Sequence, residues 1–242
     1  MKESSVAKAC DTVERLLTAK EAELWPARLD AVADLSNGLR IVSRVIRAKG
    51  PEDLRDCFAE VLYALTFVGL GFLVDVEPLG EKGPDLAVER NGQNLLVEVS
   101  RLRLKREMPT FAPEELPDML PCLGDPLPDV RRAYQKICNK VSQLGSEEGI
   151  LAIWNDDEIL DKAHGKTAAH WVSEELRAGR LKAAEQLQLV LFHTNWVSVR
   201  TQQEYFAWAV RSPETDWLVE WRRLLESARL SDLLRTVLRP SS

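Results

Sequence analysis

The chain has 242 residues, with 38 acidic against 32 basic side chains and a formal charge of −6. Hydrophobic residues make up 45% and charged residues 29%, which excludes a disordered or collagen-like chain. The acidic surplus also excludes a uniformly basic nucleic-acid binder, though not a basic patch on an acidic protein.

Residues 4–49 read as helices with no strand signal. Val13, Leu16, Leu29, Val32, Val42, Val45 and Ile46 recur at helical spacing, and Trp25-Pro26 marks a break. Residues 1–50 are therefore expected to form an N-terminal helical extension to a domain of residues 51–242. The first residues mix both charge signs and lack the apolar core of a signal peptide. Gly50-Pro51 opens a new helix with Leu54, Phe58, Val61, Leu65 and Val68 on one stripe, ended by Gly69 and Gly71. Its uncharged run with the following strand, Val61 to Val74, is 14 residues and too short to span a bilayer. Cys10, Cys57, Cys122 and Cys138 show no CxxC spacing, so no zinc site or disulfide framework is indicated. The expectation is a cytoplasmic protein with reduced thiols and no membrane partner.

Phe72–Glu77 alternates with period 2, and short strands follow at 84–90 and 93–101. Six of the 12 prolines then fall between Pro109 and Pro128, which reads as a loop. A helix resumes near Asp129, with Val130, Ala133, Ile137, Val141 and Leu144 as its stripe. Buried strands are expected at 150–154 and 187–193, separated by helical segments at 156–164 and 167–186. A strand at 205–210 and helices at 217–228 and 231–238 close the chain.

Asn91-Gly92 between two apolar runs is the signature of a two-residue type I′ hairpin turn. Fixing the turn fixes the register: Arg90 opposes Gln93, Leu86 opposes Val97, and Asp85 opposes Glu98. One face then carries Leu86, Val88, Leu95, Val97 and Val99. The other carries Asp85, Ala87, Glu89, Asn94, Leu96, Glu98 and Ser100. Two carboxylates directly opposite destabilise a sheet unless something compensates. A hard divalent cation does so, since magnesium takes carboxylate oxygens and water. The alternative is that both carboxylates face water at the open end of the hairpin. Glu60 is the only charge in the 18 residues from Cys57 to Val74. A carboxylate on so apolar a helix needs a base, a hydrogen-bond donor or a metal as partner.

A helix bearing Glu60, a strand, then Gly83-Pro84-Asp85, then an apolar strand holding Val97-Glu98-Val99-Ser100, resembles the PD-(D/E)xK nucleases. This superfamily is also called restriction-endonuclease-like. The resemblance covers roughly residues 53–154. It implies an α/β fold with a restriction-endonuclease-like core, a mixed sheet flanked by helices. It implies metal-dependent hydrolysis of phosphodiester bonds, with magnesium (Mg2+) or manganese (Mn2+) held by Asp85, Glu98 and the Val99 carbonyl. Glu60 would assist directly or through water. Where the family has lysine, this chain has Ser100, and Arg101 points to the opposite face by strand alternation. The cation must then come from elsewhere, or catalysis is lost. Lys140 is the best substitute, being about 60° from the centre of the Ile137 stripe at 3.6 residues per turn. Its stem can lie along the sheet while its ammonium reaches the rim. Lys136 is second choice, and Gln143 is a substrate contact. A solvated lysine on an amphipathic helix is the plain alternative.

Arg101, Arg103, Lys105 and Arg106, with Arg131, Arg132, Lys136 and Lys140, would form a cationic rim that neutralises phosphates. Pairing with the acids of the proline-rich loop is the other reading. His164, His170 and His193 show no metal spacing, and no GxxxxGK[ST] loop is present. The expected function is a metal-dependent nuclease whose partner is nucleic acid, DNA rather than RNA. The alternative is a catalytically inactive module of the same fold that binds nucleic acid or a partner protein.

Overall fold

The computed structural model describes residues 2–80, 83–102, 127–144, 147–155, 162–181, 185–194, 204–210, 214–228, 233 and 237–238. The N-terminal helices are α1 (Lys2–Leu16), α2 (Ala19–Ala22), α3 (Trp25–Ala33) and α4 (Leu39–Arg47). Helix α5 (Pro51–Gly69) leads into β1 (Leu73–Val76), β2 (Leu86–Arg90) and β3 (Gln93–Leu102). Then come α6 (Leu127–Val141), β4 (Gly149–Asn155), α7 (Lys162–Arg177), β5 (Leu187–Thr194), β6 (Glu204–Ala209) and α8 (Asp216–Ser227). The described strands form one mixed sheet in the order β1-β2-β3-β4-β5-β6. Its first three strands are antiparallel, β3, β4 and β5 are parallel, and β6 returns antiparallel to β5.

Asn91 and Gly92 have φ of 54° and 76°, both positive as a type I′ turn requires. The β2–β3 ladder accordingly runs from Arg90 opposite Gln93 to Leu86 opposite Val97. That register divides the side chains between two cores. Leu86, Val88, Leu95, Val97 and Val99 pack in one cluster with α5 and α8, whereas Leu96 and Leu102 join a second with α6 and α7. The sheet is thus covered by helices on both faces.

Helices α1, α3 and α4 bury Val13, Leu29, Val32, Ile41, Val42 and Val45 in the same cluster as α5 and the sheet. At about 1.5–3 kcal/mol for each fully buried aliphatic side chain, Ile41, Val42 and Val45 fasten α4 firmly. This packing lets residues of α4 take part in a site on the sheet.

Two local expectations need correction. Glu77 does not continue β1; it has a φ of 46° and turns inward. Among the described residues, the helix expected at 167–186 is α7, which begins at Lys162, runs unbroken through Gly165 and stops at Arg177. Gly179, at φ 68°, ends it with the Schellman bonds Gly179 N–H to Leu176 O and Arg180 N–H to Glu175 O, both 2.9 Å. Residues 156–161 lie outside the described residues, as do most of 231–238 and the proline-rich loop. Among the described residues no helix is long and apolar enough to cross a membrane.

Candidate active site

Among the described residues, β3 pairs with β2 only as far as Val97, and Glu98 to Leu102 pair with β4 alone. This leaves a notch in the sheet with α5 on one face and α6 on the other. The Val99 N–H projects into the notch and donates to Asp85 Oδ2 at 2.8 Å. Since the N–H and C=O of a strand residue project to the same edge, the Val99 carbonyl faces the notch too. A cavity of about 320 Å³ occupies it, lined by Glu60, Asp85, Glu98, Val99, Lys136, Lys140 and Gln143. The structure thus brings together residues that the sequence spreads over 84 positions.

Each side chain arrives for a local reason. The hairpin turn sets Asp85 and Glu98 on the notch. Helix α6 buries Val130, Ala133, Ile137 and Val141, and this tilts Lys140 along the sheet with its ammonium inward. Lys140 Nζ lies 2.9 Å from Glu98 Oε1. Ser100, on the same face as Glu98, is 4% exposed and also lines the cavity. Its hydroxyl is buried with no hydrogen-bond partner among the described residues.

Glu60 is buried on α5, and its partner is Arg44 of α4, a residue the sequence did not single out. Arg44 Nη1 donates to Glu60 Oε1 at 3.1 Å, and Arg44 Nη2 pairs with Glu60 Oε2. The same guanidinium reaches Glu77 Oε1 at 3.2 Å and Asp85 Oδ1 at 3.9 Å. Glu77 was also missed by the sequence reading, which set it on a strand. No local signal marked it, since a residue before proline is driven to extended backbone and Glu77-Pro78 therefore reads as strand. Its positive φ is a strained state for a non-glycine residue, and such strain gathers at functional sites.

Arg101 lies on the opposite face from Glu98, as alternation requires. Its side chain is only 3% exposed; Nε donates to Asp56 Oδ1 at 2.8 Å and Nη2 pairs with Glu52. It is therefore paired with α5, at a wall of the same cavity. Arg103, Lys105 and Arg106 lie outside the described residues.

Crowding of acids dominates the electrostatics. Burial lifts the Glu60 carboxyl well above its usual range, with Asp85 adding to the rise and Arg44 opposing it. Burial also raises Asp85, against the pull of the Val99 N–H, Arg44 and Lys140. Glu98 is pushed up to about 7 by burial and then by Asp85, with Lys140 opposing. A carboxyl raised in the folded state stabilises fully below its unfolded pKa, and that contribution is lost as pH rises through the folded value. The free energy of unfolding of the wild type, relative to Glu98→Gln, should fall by about 2–3 kcal/mol between pH 5 and 8. Urea unfolding at the two pH values measures this, and a difference that stays constant contradicts the burial argument.

The chain matches no protein-family model, no curated protein and no solved structure. Among the described residues no group of three or more His, Cys, Asp or Glu side chains is arranged to hold a metal ion. Magnesium, however, uses one or two carboxylates together with water and substrate phosphates. Asp85, Glu98 and the Val99 carbonyl suit that mode, and the lone Ser100 hydroxyl offers a further polar contact for water.

Proposed function

We propose that the protein is a metal-dependent nuclease that hydrolyses phosphodiester bonds of nucleic acid at Asp85 and Glu98. The observation that carries the reading is Lys140 Nζ at 2.9 Å from Glu98 Oε1, in the cavity that Asp85 also lines. The lysine missing beside Glu98 on β3 is replaced by one from α6. The order α5-β1-β2-β3-α6-β4 adds support, since it follows the sequence of elements on which the PD-(D/E)xK resemblance rests.

Asp85, Glu98 and the Val99 carbonyl would hold magnesium or manganese. When bound, the ion supplies Lewis-acid polarisation of the scissile phosphate and acidifies water. Lys140 orients the attacking water and stabilises the extra negative charge on the phosphate in the transition state. Lys136 and Gln143 contact neighbouring phosphates from α6. Glu60 acts through Arg44, which it holds in place between Asp85 and Glu77, and is thus a positioning residue.

The test is incubation of labelled DNA and RNA with wild type and Asp85→Asn in magnesium or manganese, alongside calorimetric titration of both ions. Ion binding and cleavage by the wild type, both lost in Asp85→Asn, are expected. Cleavage that persists in the variant, or none by the wild type, overturns the reading. A second reading is favoured by the arginine and lysine already paired with the acids. On it, the notch is a closed ion-pair network in a non-catalytic module that binds nucleic acid or a partner protein. Absence of ion binding by the wild type would select it.

A further inference from the structure

Helix α4 carries Arg40, Arg44 and Arg47 and no acidic residue, in a chain whose acids outnumber its bases. With Ser43 these arginines stand at i, i+3, i+4 and i+7, one stripe opposite the buried Ile41, Val42 and Val45. Arg44 turns down into the notch. Arg40 and Arg47 stay exposed and line a groove of about 720 Å³ with Leu39, Ser43, Ile46 and Glu77. Glu77 links the groove to the notch: Arg40 Nη1 donates to its carbonyl at 3.1 Å and lies 3.6 Å from its carboxylate, which Arg44 Nε reaches at 3.2 Å from the notch side. The groove therefore opens beside the proposed site of cleavage.

The geometry points to this groove as the track for the phosphate backbone of the nucleic-acid substrate, with Arg40 and Arg47 each contacting a phosphate. The inference rests on the nuclease reading for its substrate class and deepens it by moving the binding surface. The sequence placed that surface on Arg101 and its neighbours, yet Arg101 is buried against Glu52 and Asp56. Guanidinium groups suit phosphate because they donate in a planar fork. Their spacing of seven residues along a helix is about 10 Å at 1.5 Å per residue, which bridges phosphates that are not adjacent on one strand. Anionic lipid would satisfy the same charges. A groove that lies next to the carboxylate cavity, separated from it by the Arg44–Glu77 pair, favours a polymer that runs past both.

The experiment measures binding of a fluorescein-labelled DNA duplex, and of its single strand and RNA counterpart, without divalent ions. Salt is varied between about 50 and 200 mM. Wild type is compared with the double variant Arg40→Gln/Arg47→Gln, and thermal unfolding verifies that both are folded. Loss of two phosphate contacts should make the slope of log affinity against log salt shallower by about 2 on duplex. The fall in affinity across that salt range should then be about tenfold smaller. Identical affinity and slope for the two proteins overturn the inference. So does binding by the wild type to phosphatidylserine vesicles but to no nucleic acid. If the wild type binds nucleic acid through these arginines but does not cut it, the nuclease reading fails and the track stands. If it cuts and the double variant binds and cuts equally well, the track fails and the nuclease reading stands.

Discussion

On the proposed nuclease reading, Lys140→Met is expected to lower the rate of magnesium-dependent cleavage by about 10²–10³, the usual cost of losing one preorganised donor to transition-state charge. Methionine keeps the apolar stem that packs along the sheet and removes the ammonium alone. A second consequence separates chemistry from structure. Lys140 holds the Glu98 carboxyl down, and even so burial and Asp85 keep it at about 7. Removing the lysine raises it further, so the acidic limb of any residual activity should move to higher pH. The position that carries lysine in the PD-(D/E)xK nucleases, which the sequence resembles, offers a rescue. Ser100 faces the same cavity with a buried hydroxyl that has no hydrogen-bond partner among the described residues. Ser100→Lys in the Lys140→Met background should therefore recover part of the lost rate. Single-turnover rates for the three proteins between pH 6 and 9 decide the matter. A Lys140→Met protein cutting at the wild-type rate would remove the lysine from the mechanism.

The hairpin was legible because its determinants are local. A type I′ turn leaves one register, and period 2 then assigns each side chain to a face without knowledge of the rest of the chain. Asp85 and Glu98 follow from the turn alone, and Lys140 from the stripe of α6 and its long side chain. The face of Arg101 was readable for the same reason. Its burial was not, because Glu52 and Asp56 come from α5, 49 and 45 positions away. Arg44 and Glu77 escaped notice on similar grounds. An arginine on the polar stripe of an amphipathic helix looks the same whether it meets water or a buried glutamate. Only the packing of α4 against α5 distinguishes them. Glu77 depends on a single backbone torsion, and a run that alternates up to that residue conceals the change.

Replacing Arg44 is expected to be the most damaging substitution for stability. The guanidinium contacts Glu60, Glu77 and Asp85 in a largely buried setting. Removing one partner of a buried pair strands the other charge at a cost of about 3–5 kcal/mol. For a chain of this size that corresponds to a fall in Tm of about 10 °C. Arg44→Met should show this fall at pH 8 and a smaller one at pH 5, where the stranded carboxyls take up protons. Arg44→Met/Glu60→Leu should recover most of the loss, because an apolar pair of similar volume replaces the ion pair. Divalent ions turn the same variant into a test of the site. Arg44 supplies positive charge to Asp85 from one side of the notch, where a bound cation would supply it from the other. Magnesium should therefore raise the Tm of the wild type modestly and that of Arg44→Met by more, since a ligand that binds the folded state stabilises it more the tighter it binds. If magnesium moves neither Tm, the carboxylates of the notch form a structural network and the metal site is refuted. A larger shift in Arg44→Met, abolished by adding Asp85→Asn, assigns the cation to the notch and makes Arg44 the group that holds the acids in place before it arrives.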